Sequence, residues 1–380
     1  MKKRIAEIIR QYSAQGIHRT GTDVDRENAE WLKKKFDSLG VDTEFNCFAF
    51  KRIVNSDTAL IIGTKRINAE PLYDSSYTDV MGLQGTLGKL GSKADFGVIM
   101  SPPQHESEQG RMIHKARLEG KHKAIIICTP AQMPSGITTM NAENFTQPFG
   151  PPVIQISNAD WQSVQSAIKD TSTATLIANC KLVDAEAINV CATVRGSDER
   201  LAPLVIMTPR SGWWSCASER GGGIACLLEI MREVKRQGRQ RDVIFTANTG
   251  HELSHIGLDH YLAHNSSLIA DAYMWIHLGA NFAAKYTRGI RTQFSSESAK
   301  GLVSKILDKY QLQPVSETPI GHRPFGEARN IHDHKGNYIS LLGGNALFHH
   351  PNDVWPESVD LDTTAKWTEA YVDIALSLAQ

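Results

Sequence analysis

Four residues of metal-binding type lie where a folded sheet could bring them together. Each follows a predicted buried strand, precedes a predicted long helix or lies in a histidine-rich loop: Glu219, Glu252, His277 and His349. Carboxylate oxygens and neutral imidazole nitrogens are ligands that zinc and related divalent ions prefer. Sites in open α/β sheets form at the carboxyl ends of the strands, so these side chains can converge on one ion. Scattered surface carboxylates and hydrogen-bonded histidines would give the same residues, but the set together favours a metal site.

Residues His251 to His255 match the pattern H-E-x-x-H, in which two histidines on one helix face bind zinc and the glutamate acts as a base. The surroundings of this pattern are unlike those of such a helix. Thr249 and Gly250 close a predicted buried strand, and Gly257 interrupts any long helix. The sequence therefore favours a loop at the end of a strand over the helical zinc-binding motif.

Two regions of different character must position these residues. From residue 187 to 380, apolar stretches alternate with amphipathic helical patterns, which predicts an α/β layered sheet. Residues 1–51 contribute two helices and a first strand to the same unit. Residues 52–186 contain short β-prone stretches separated by glycine, proline and serine clusters. We therefore expect an α/β domain built from residues 1–51 and 187–380, with a small β-rich domain of residues 52–186 inserted into it.

The charge and the cysteine content argue against several classes of protein. Lysine plus arginine and aspartate plus glutamate each number 41, so the formal net charge is zero, whereas nucleic-acid or polybasic membrane binders carry a basic surplus. No apolar stretch approaches the roughly 18 residues that a membrane helix needs. The six cysteines form no C-x-x-C pair, which is typical of buried, reduced thiols. We expect a soluble cytoplasmic protein that binds neither nucleic acid nor membranes, and its oligomeric state is left open.

The order of the motifs resembles that of metallopeptidase family 28, the zinc aminopeptidases and carboxypeptidases whose relatives include the glutaminyl cyclases. Four segments carry the resemblance: His18–Thr22, Cys216–Gly223, His251–Glu252 and Phe348–Asp353. In the same order, they correspond to the family patterns R-x-x-G-S/T, G-A-x-D-N-x-x-G, E-E and Y-H-T-P-x-D. The resemblance implies a three-layer α/β/α sandwich with a mixed central sheet, and the inserted domain is similar to a protease-associated domain.

The resemblance also implies one metal ion rather than the family's two. Glu219 stands at the position of the family's bridging aspartate, Glu252 at its second glutamate and His349 at its final histidine. The remaining ligands of the second ion are replaced by Pro209 and His277, and proline cannot bind a metal. We therefore expect a single Zn²⁺, or Mn²⁺, bound by Glu219, Glu252 and His349, with His277 as a fourth ligand. The glutaminyl cyclases also use a single zinc ion.

The reaction implied by this resemblance is the hydrolysis of an amide or peptide bond in a small substrate. His251 takes the position of the family's general base, and the ordinary pKa of histidine, near 6.5, suits proton transfer at neutral pH. Arg210, Arg220 and Arg323 lie in loops that correspond to the substrate-binding loops. Because arginine binds carboxylates bidentately, we expect an acidic peptide or small amide as substrate. Solvation, or pairing with nearby carboxylates, would equally explain these arginines.

Two other functions stay open at this point. An inactive protein could use the peptidase fold to bind ligands, because the first metal motif and the usual base are both replaced. The same changes are compatible with a reaction on a small molecule that is not a peptide, by amide hydrolysis or acyl transfer. The presence of Glu219, Glu252 and His349 favours an enzyme, because an inactive binding protein has no reason to retain all three.

Overall fold

A mixed β-sheet organises the computed structural model, which describes residues 1–286 and 289–380. Within these residues the strands are β1 (Thr43–Ile62), β2 (Lys65–Pro71), β3 (Leu83–Lys89), β4 (Phe96–Met100), β5 (Ala124–Cys128), β6 (Val153–Ile156), β7 (Thr173–Val194), β8 (Leu204–Pro209), β9 (Val243–Asn248), β10 (Met274–Leu278), β11 (Ile290–Phe294), β12 (Ser316–Thr318) and β13 (Tyr338–Gly343). Their order across the sheet is β1-β2-β6-β5-β4-β3-β7-β9-β8-β10-β13-β11-β12, and β1 also pairs with β7.

Helices cover the sheet. They are α1 (Lys2–Ser13), α2 (Asp23–Ser38), α3 (Glu108–Glu119), α4 (Trp161–Lys169), α5 (Gly221–Gln237), α6 (Ile256–His264), α7 (Leu268–Asp271), α8 (Glu297–Lys309), α9 (Ala328–Asp333) and α10 (Leu361–Leu378). In the described part of the chain, none of them combines the length and the hydrophobicity that a membrane span requires.

Alternating residues of the central strands face two separate layers of helices. Val205 and Met207 of β8 pack with α6, α7 and α9, whereas Leu204 and Ile206 pack with α1, α2, α5, α8 and α10. Successive side chains of a strand point to opposite faces of the sheet, and helices cover both faces here. Every residue of such a strand is therefore buried, which explains its continuous apolar sequence. Strands β8, β9, β10 and β13 run parallel to one another. β7 runs antiparallel to its neighbour β9, and β11 runs antiparallel to its neighbour β13. The predicted three-layer α/β/α sandwich with a mixed central sheet is confirmed.

Two long strands lead into and out of the inserted region. β1 and β7 pair antiparallel along almost their whole length, with one irregularity between Asn55 and Asp57. The strands and helices between them enclose an apolar cluster of their own, which includes Phe96 and Ile126. The expected domain boundaries after residues 51 and 186 fall inside these continuous strands. The similarity of the insertion to a protease-associated domain stays a prediction.

Helix α5 begins with three consecutive glycines that let it lie directly on the sheet. A Cβ atom on Gly223 would lie 2.4 Å from Oγ1 of Thr208, so a larger residue does not fit at this contact. The close approach positions the residues that immediately precede the helix. Arg220 accordingly donates from Nε to the carbonyl of Ser211, just beyond the carboxyl end of β8, at 2.8 Å.

Candidate active site

Three buried side chains beyond the carboxyl ends of the strands form a compact group of metal-ligand type. They are His251, His255 and Glu327, and their candidate ligand atoms all lie within 4.8 Å of one another. No other group of three or more histidine, cysteine, aspartate or glutamate side chains in residues 1–286 and 289–380 meets the same criterion. Two imidazoles and one carboxylate are a donor set found in catalytic zinc sites.

An unusual turn after strand β9 brings the two histidines together. Gly250 has a φ of 79°, residues His251–Leu253 form one turn of 3-10 helix, and Ser254 and His255 both have left-handed φ values, of 62° and 63°. The imidazole rings of His251 and His255 stack with their centroids 5.0 Å apart. The H-E-x-x-H spacing is thus realised without an α-helix. Backbone strain of this kind concentrates at functional sites.

Glu327 contacts two histidines, one of them the predicted general base. Its Oε1 lies 2.5 Å from Nδ1 of His251, and its Oε2 lies 3.0 Å from Nε2 of His277. Nδ1 of His277 in turn contacts Oγ of Ser340 at 2.9 Å. Gly326 is required here because a Cβ atom at this position would lie 2.8 Å from Cε1 of His277. The Glu327 carboxylate is therefore fixed against strands β10 and β13.

The hydrogen bonds of Asn330 determine which nitrogen of His255 is free. Nδ2 of Asn330 donates to Oδ1 of Asp259 at 2.6 Å, so its own Oδ1 faces Nδ1 of His255 at 2.8 Å. An amide oxygen only accepts, and Nδ1 of His255 must therefore carry the proton. The lone pair of the neutral ring is left on Nε2, which is the arrangement that a metal-binding histidine needs.

The surroundings of the cluster set its protonation states. Burial lowers the pKa of His255 to about 3, and burial together with the charge of Arg220 lowers the pKa of His251 to about 4. Burial alone would raise the pKa of Glu327, but the surrounding histidines hold that pKa well below its usual range. Two neutral imidazoles and one ionised carboxylate follow at neutral pH, and these forms bind divalent ions.

Glu219, one of the predicted ligands, pairs with the next residue in the sequence. Nη2 of Arg220 lies 2.8 Å from Oε1 of Glu219, and both side chains are fully buried. Nε2 of His349 lies 3.5 Å from the same oxygen, while Nδ1 of His349 donates to the carbonyl of Thr139 at 2.7 Å. Nε2 of His349 thus carries a lone pair, and it has no hydrogen-bond partner among the described residues. Burial and the charge of Arg220 lower the pKa of His349 to about 3.

Glu252, another predicted ligand, is engaged by hydrogen bonds on both oxygens. Its Oε1 accepts from the backbone N–H and from the hydroxyl of Thr20, both at 2.7 Å. Its Oε2 accepts from the hydroxyl of Ser211 at 2.7 Å. These contacts join the N-terminal segment to the loops after β8 and β9.

The four predicted ligands therefore occupy separate places. Glu219 and His349 are neighbours, whereas His277 contacts Glu327. No three of the four form a compact group of ligand atoms within the described residues. The structure thus keeps the predicted ligand types at the same edge of the sheet but does not bring all four to one point.

A pocket of about 390 Å³ opens beside the histidine and glutamate cluster. Its wall includes His251, His255, Glu327 and His349, so the cluster and the unpartnered nitrogen of His349 border the same space. The insertion also lines this pocket, through Pro103–Glu106, Asn141 and Glu143. The α/β domain and the insertion therefore build one cavity jointly.

The insertion also anchors the loops of the site. The backbone N–H of Ala142 donates to the carbonyl of Glu252 at 2.8 Å. The carbonyl of Ala142 accepts from the hydroxyl of Ser254, also at 2.8 Å. Nε1 of Trp213 donates to Oδ1 of Asn141 at 2.9 Å. Because these contacts reach the turn that carries His251, the position of the insertion is coupled to the geometry of the cluster.

The three arginines predicted to bind substrate do not line this pocket. Arg210 is buried and pairs with Asp25 at 2.8 Å. Arg220 pairs with its sequence neighbour, as described above. Arg323 is exposed and pairs with Asp333 at 2.7 Å. Each guanidinium therefore has a carboxylate partner within the protein, which was the alternative explanation of these residues.

Solved structures identify the fold, although no family model and no curated protein matches the sequence. A zinc aminopeptidase from Bacillus subtilis superposes with a TM-score of 0.81 and is 17% identical in sequence. The match covers 99% of this chain and 94% of the aminopeptidase chain. A family 28 peptidase precursor from Shewanella amazonensis has a TM-score of 0.77 and 16% sequence identity, and the match covers 99% of this chain and 93% of the precursor chain. An aminopeptidase from Aneurinibacillus sp. has a TM-score of 0.73 and 16% sequence identity, and the match covers 100% of this chain and 94% of the aminopeptidase chain. The fold is that of the zinc aminopeptidases.

Within this aminopeptidase fold, all three members of the cluster lie outside the predicted ligand set, and His251 alone was a predicted site residue, as the general base. The H-E-x-x-H spacing marks His255, but the predicted absence of a helix argues against a shared site with His251. Glu327 follows Gly326 in a loop that carries no recognisable motif. Sequence reasoning therefore had a usable signal for His255 and none for Glu327.

Proposed function

We propose that this chain is a metal-dependent hydrolase that cleaves an amide or peptide bond of a small substrate, with one Zn²⁺ or Mn²⁺ bound by His251, His255 and Glu327. The observation that carries this proposal is the convergence of these three side chains, in metal-binding protonation states, on the wall of a pocket. The likeness of the fold to that of a zinc aminopeptidase supports the same type of reaction.

Neighbouring side chains would keep the three ligands in place. When bound, a divalent ion polarises a substrate carbonyl and lowers the pKa of a water molecule. His277 holds Oε2 of Glu327, and Asn330 holds Nδ1 of His255. Hydrogen bonds of this kind orient metal ligands and increase their basicity. The contact of Nδ1 of His251 with the ionised Glu327 carboxylate places the proton of the neutral ring on Nδ1 and leaves the lone pair on Nε2, which would be the nitrogen that binds the ion.

His349 is the residue that we assign to proton transfer. Its Nδ1 donates to the carbonyl of Thr139, so the neutral ring can accept a proton only at Nε2. This atom has no hydrogen-bond partner among the described residues and belongs to the pocket wall. The Glu219 carboxylate lies 3.5 Å away but is paired with Arg220. Burial and the charge of Arg220 lower the pKa of His349 to about 3, so the neutral ring would be a weak proton acceptor that holds the proton only during turnover. This role replaces that of His251, whose ring is engaged with Glu327.

A second function, ligand binding without catalysis, is favoured by one observation. The guanidinium of Arg220 is fully buried against Glu219 and places a permanent positive charge beside His349. A fixed cation at this point offsets the charge of Glu219 without a metal ion. If the cluster at His251 binds no metal either, the pocket would serve to bind a ligand only.

The first test is the metal content of the purified, tag-free protein, measured by inductively coupled plasma mass spectrometry. The proposal predicts about one equivalent of zinc or manganese, because one ligand cluster is present in the described residues. The variant His255→Ala should lose the ion. The variant His264→Ala is the matched control, because His264 is exposed at the end of α6, the helix that follows His255, and lies outside the cluster.

The same preparations would then be assayed against amino-acid anilides and against small amides without an amino group. Turnover that disappears on chelation and returns with zinc or manganese would support a hydrolase, and the preferred panel would separate an aminopeptidase from an amidohydrolase. Absence of metal after reconstitution, together with absence of turnover, would contradict the proposal and favour the binding function.

A further inference from the structure

One cation in the wall of the pocket has no acidic partner. Arg291, on strand β11, lines the pocket, and no carboxylate of the described residues lies within 4.0 Å of its guanidinium. Its Nη1 makes one long hydrogen bond, of 3.4 Å, to Oγ1 of Thr318. Most of the hydrogen-bonding capacity of this guanidinium is therefore available to a ligand.

The other charged groups of the pocket leave Arg291 as the candidate for binding an anion. Arg329 also lines the pocket, but its Nη1 lies 3.6 Å from Oε1 of Glu143. Glu327 is engaged with the histidines. The pocket wall also contains Glu106, whose negative charge with that of Glu143 disfavours a group carrying two negative charges. An anion would therefore be bound at Arg291 itself, and Glu106 and Glu143 repel a group with one negative charge less than a group with two.

An aromatic ring beside Arg291 extends this site with an apolar surface. The guanidinium carbon lies 5.0 Å from the centroid of the Phe325 ring, within the distance of a cation–π contact. Phe325 is 42% exposed and lines the same pocket, as does the exposed side chain of Val315. A ligand that contacts the guanidinium would therefore also meet apolar surface.

We infer that Arg291 and Phe325 form a substrate-binding site for a free carboxylate with an adjacent apolar side chain, as in an N-acyl amino acid or a short peptide. The inference rests on the proposed function, because the same pocket contains His251, His255 and Glu327. A guanidinium offers two parallel donors to a carboxylate, and such charge-assisted bonds are stronger than bonds to a neutral amide. The site therefore discriminates a carboxylate from its amide.

The test is calorimetric binding of two probes, N-acetyl-L-phenylalanine and its amide, to the metal-free full chain. We expect the acid to bind about tenfold more tightly than the amide, or better. Arg291→Gln should remove this preference by weakening the acid alone. Arg323→Gln is the matched control, because Arg323 is exposed, pairs with Asp333 and lies outside the pocket wall, and it should retain the preference.

Equal affinities for the two probes, no binding of the acid, or an unchanged preference in Arg291→Gln would each overturn the inference. Phenyl phosphate provides a further comparison, because tighter binding of this dianion than of the acid would contradict the assignment to a carboxylate. Chemical unfolding of each variant checks that the fold is intact. Because the measurement uses metal-free protein, its failure is distinguishable from failure of the metal proposal.

Discussion

Oε1 of Glu327 lies 2.5 Å from Nδ1 of His251, although the two residues are 76 positions apart in the sequence. His277 contacts the other oxygen of the same carboxylate. A buried carboxylate between two imidazoles, with His255 within reach, forms the centre of the candidate site.

Removal of the charge of Glu327 should abolish tight metal binding. Glu327→Gln keeps the size of the side chain but replaces an anionic ligand with a neutral one, and zinc affinity should fall by at least about 100-fold. Competition with a chromophoric chelator measures this affinity. Glu143→Gln is the control, because Glu143 lines the same pocket but lies outside the cluster. Equal zinc affinity in Glu327→Gln and wild type would exclude Glu327 as a ligand.

The α/β framework was predictable because its strands are buried on both faces. Leu204–Pro209 and Met274–Leu278 are almost wholly apolar in sequence and lie close to where the pattern placed them. The sequence also suggests a strand from Thr43 to Phe50 and a separate one from Thr58 to Ile62, whereas the structure has one continuous strand. Pairing with β7 along its length extends the strand across the polar residues between them.

The site was less predictable because its geometry depends on tertiary contacts. Glu219 and Arg220 are adjacent in sequence, but residue types alone do not reveal that the guanidinium turns to its neighbour's carboxylate. Glu252 matches a ligand position, yet Thr20 and Ser211 engage both of its oxygens. Residues from three distant segments determine these contacts, so a local pattern cannot specify them.

Acid should destabilise the metal-free protein through its buried histidines. Burial lowers the pKa values of His18, His255 and His349 to about 3, from an ordinary value of 6.5. Below pH 6.5 the unfolded chain takes up protons that the folded protein does not. The stability is therefore fully present above pH 6.5 and falls as the pH decreases towards 3. Each such histidine contributes about 1.4 kcal/mol per pH unit to this slope.

Urea unfolding between pH 7 and pH 4 measures this slope. His18→Gln should reduce the number of protons taken up on unfolding by about one, and the slope of stability against pH should fall accordingly. This result does not depend on how the substitution changes stability at pH 7. His264→Gln, at an exposed position, should leave the slope unchanged. An identical slope in wild type and His18→Gln would show that His18 takes up its proton equally in the folded and unfolded states.

The buried pair of Glu219 and Arg220 should be far more important for stability than an exposed pair. Arg220→Met leaves the Glu219 carboxylate buried without a cation, and the free energy of unfolding should fall by about 3–5 kcal/mol. The double variant Glu219→Gln/Arg220→Met should recover part of this loss. Arg200→Met removes an exposed arginine paired with Asp198 and should leave the free energy of unfolding almost unchanged, because solvent screens exposed ion pairs. No recovery in the double variant would contradict a direct charge interaction.

Anomalous X-ray diffraction from crystals of the zinc-loaded protein, recorded on both sides of the zinc absorption edge, would locate the ion directly. We predict a single strong peak bordered by His251, His255 and Glu327, with Arg220 still paired with Glu219. A peak beside Glu219 and His349, or no peak in protein shown to contain zinc, would contradict the assignment of the metal site.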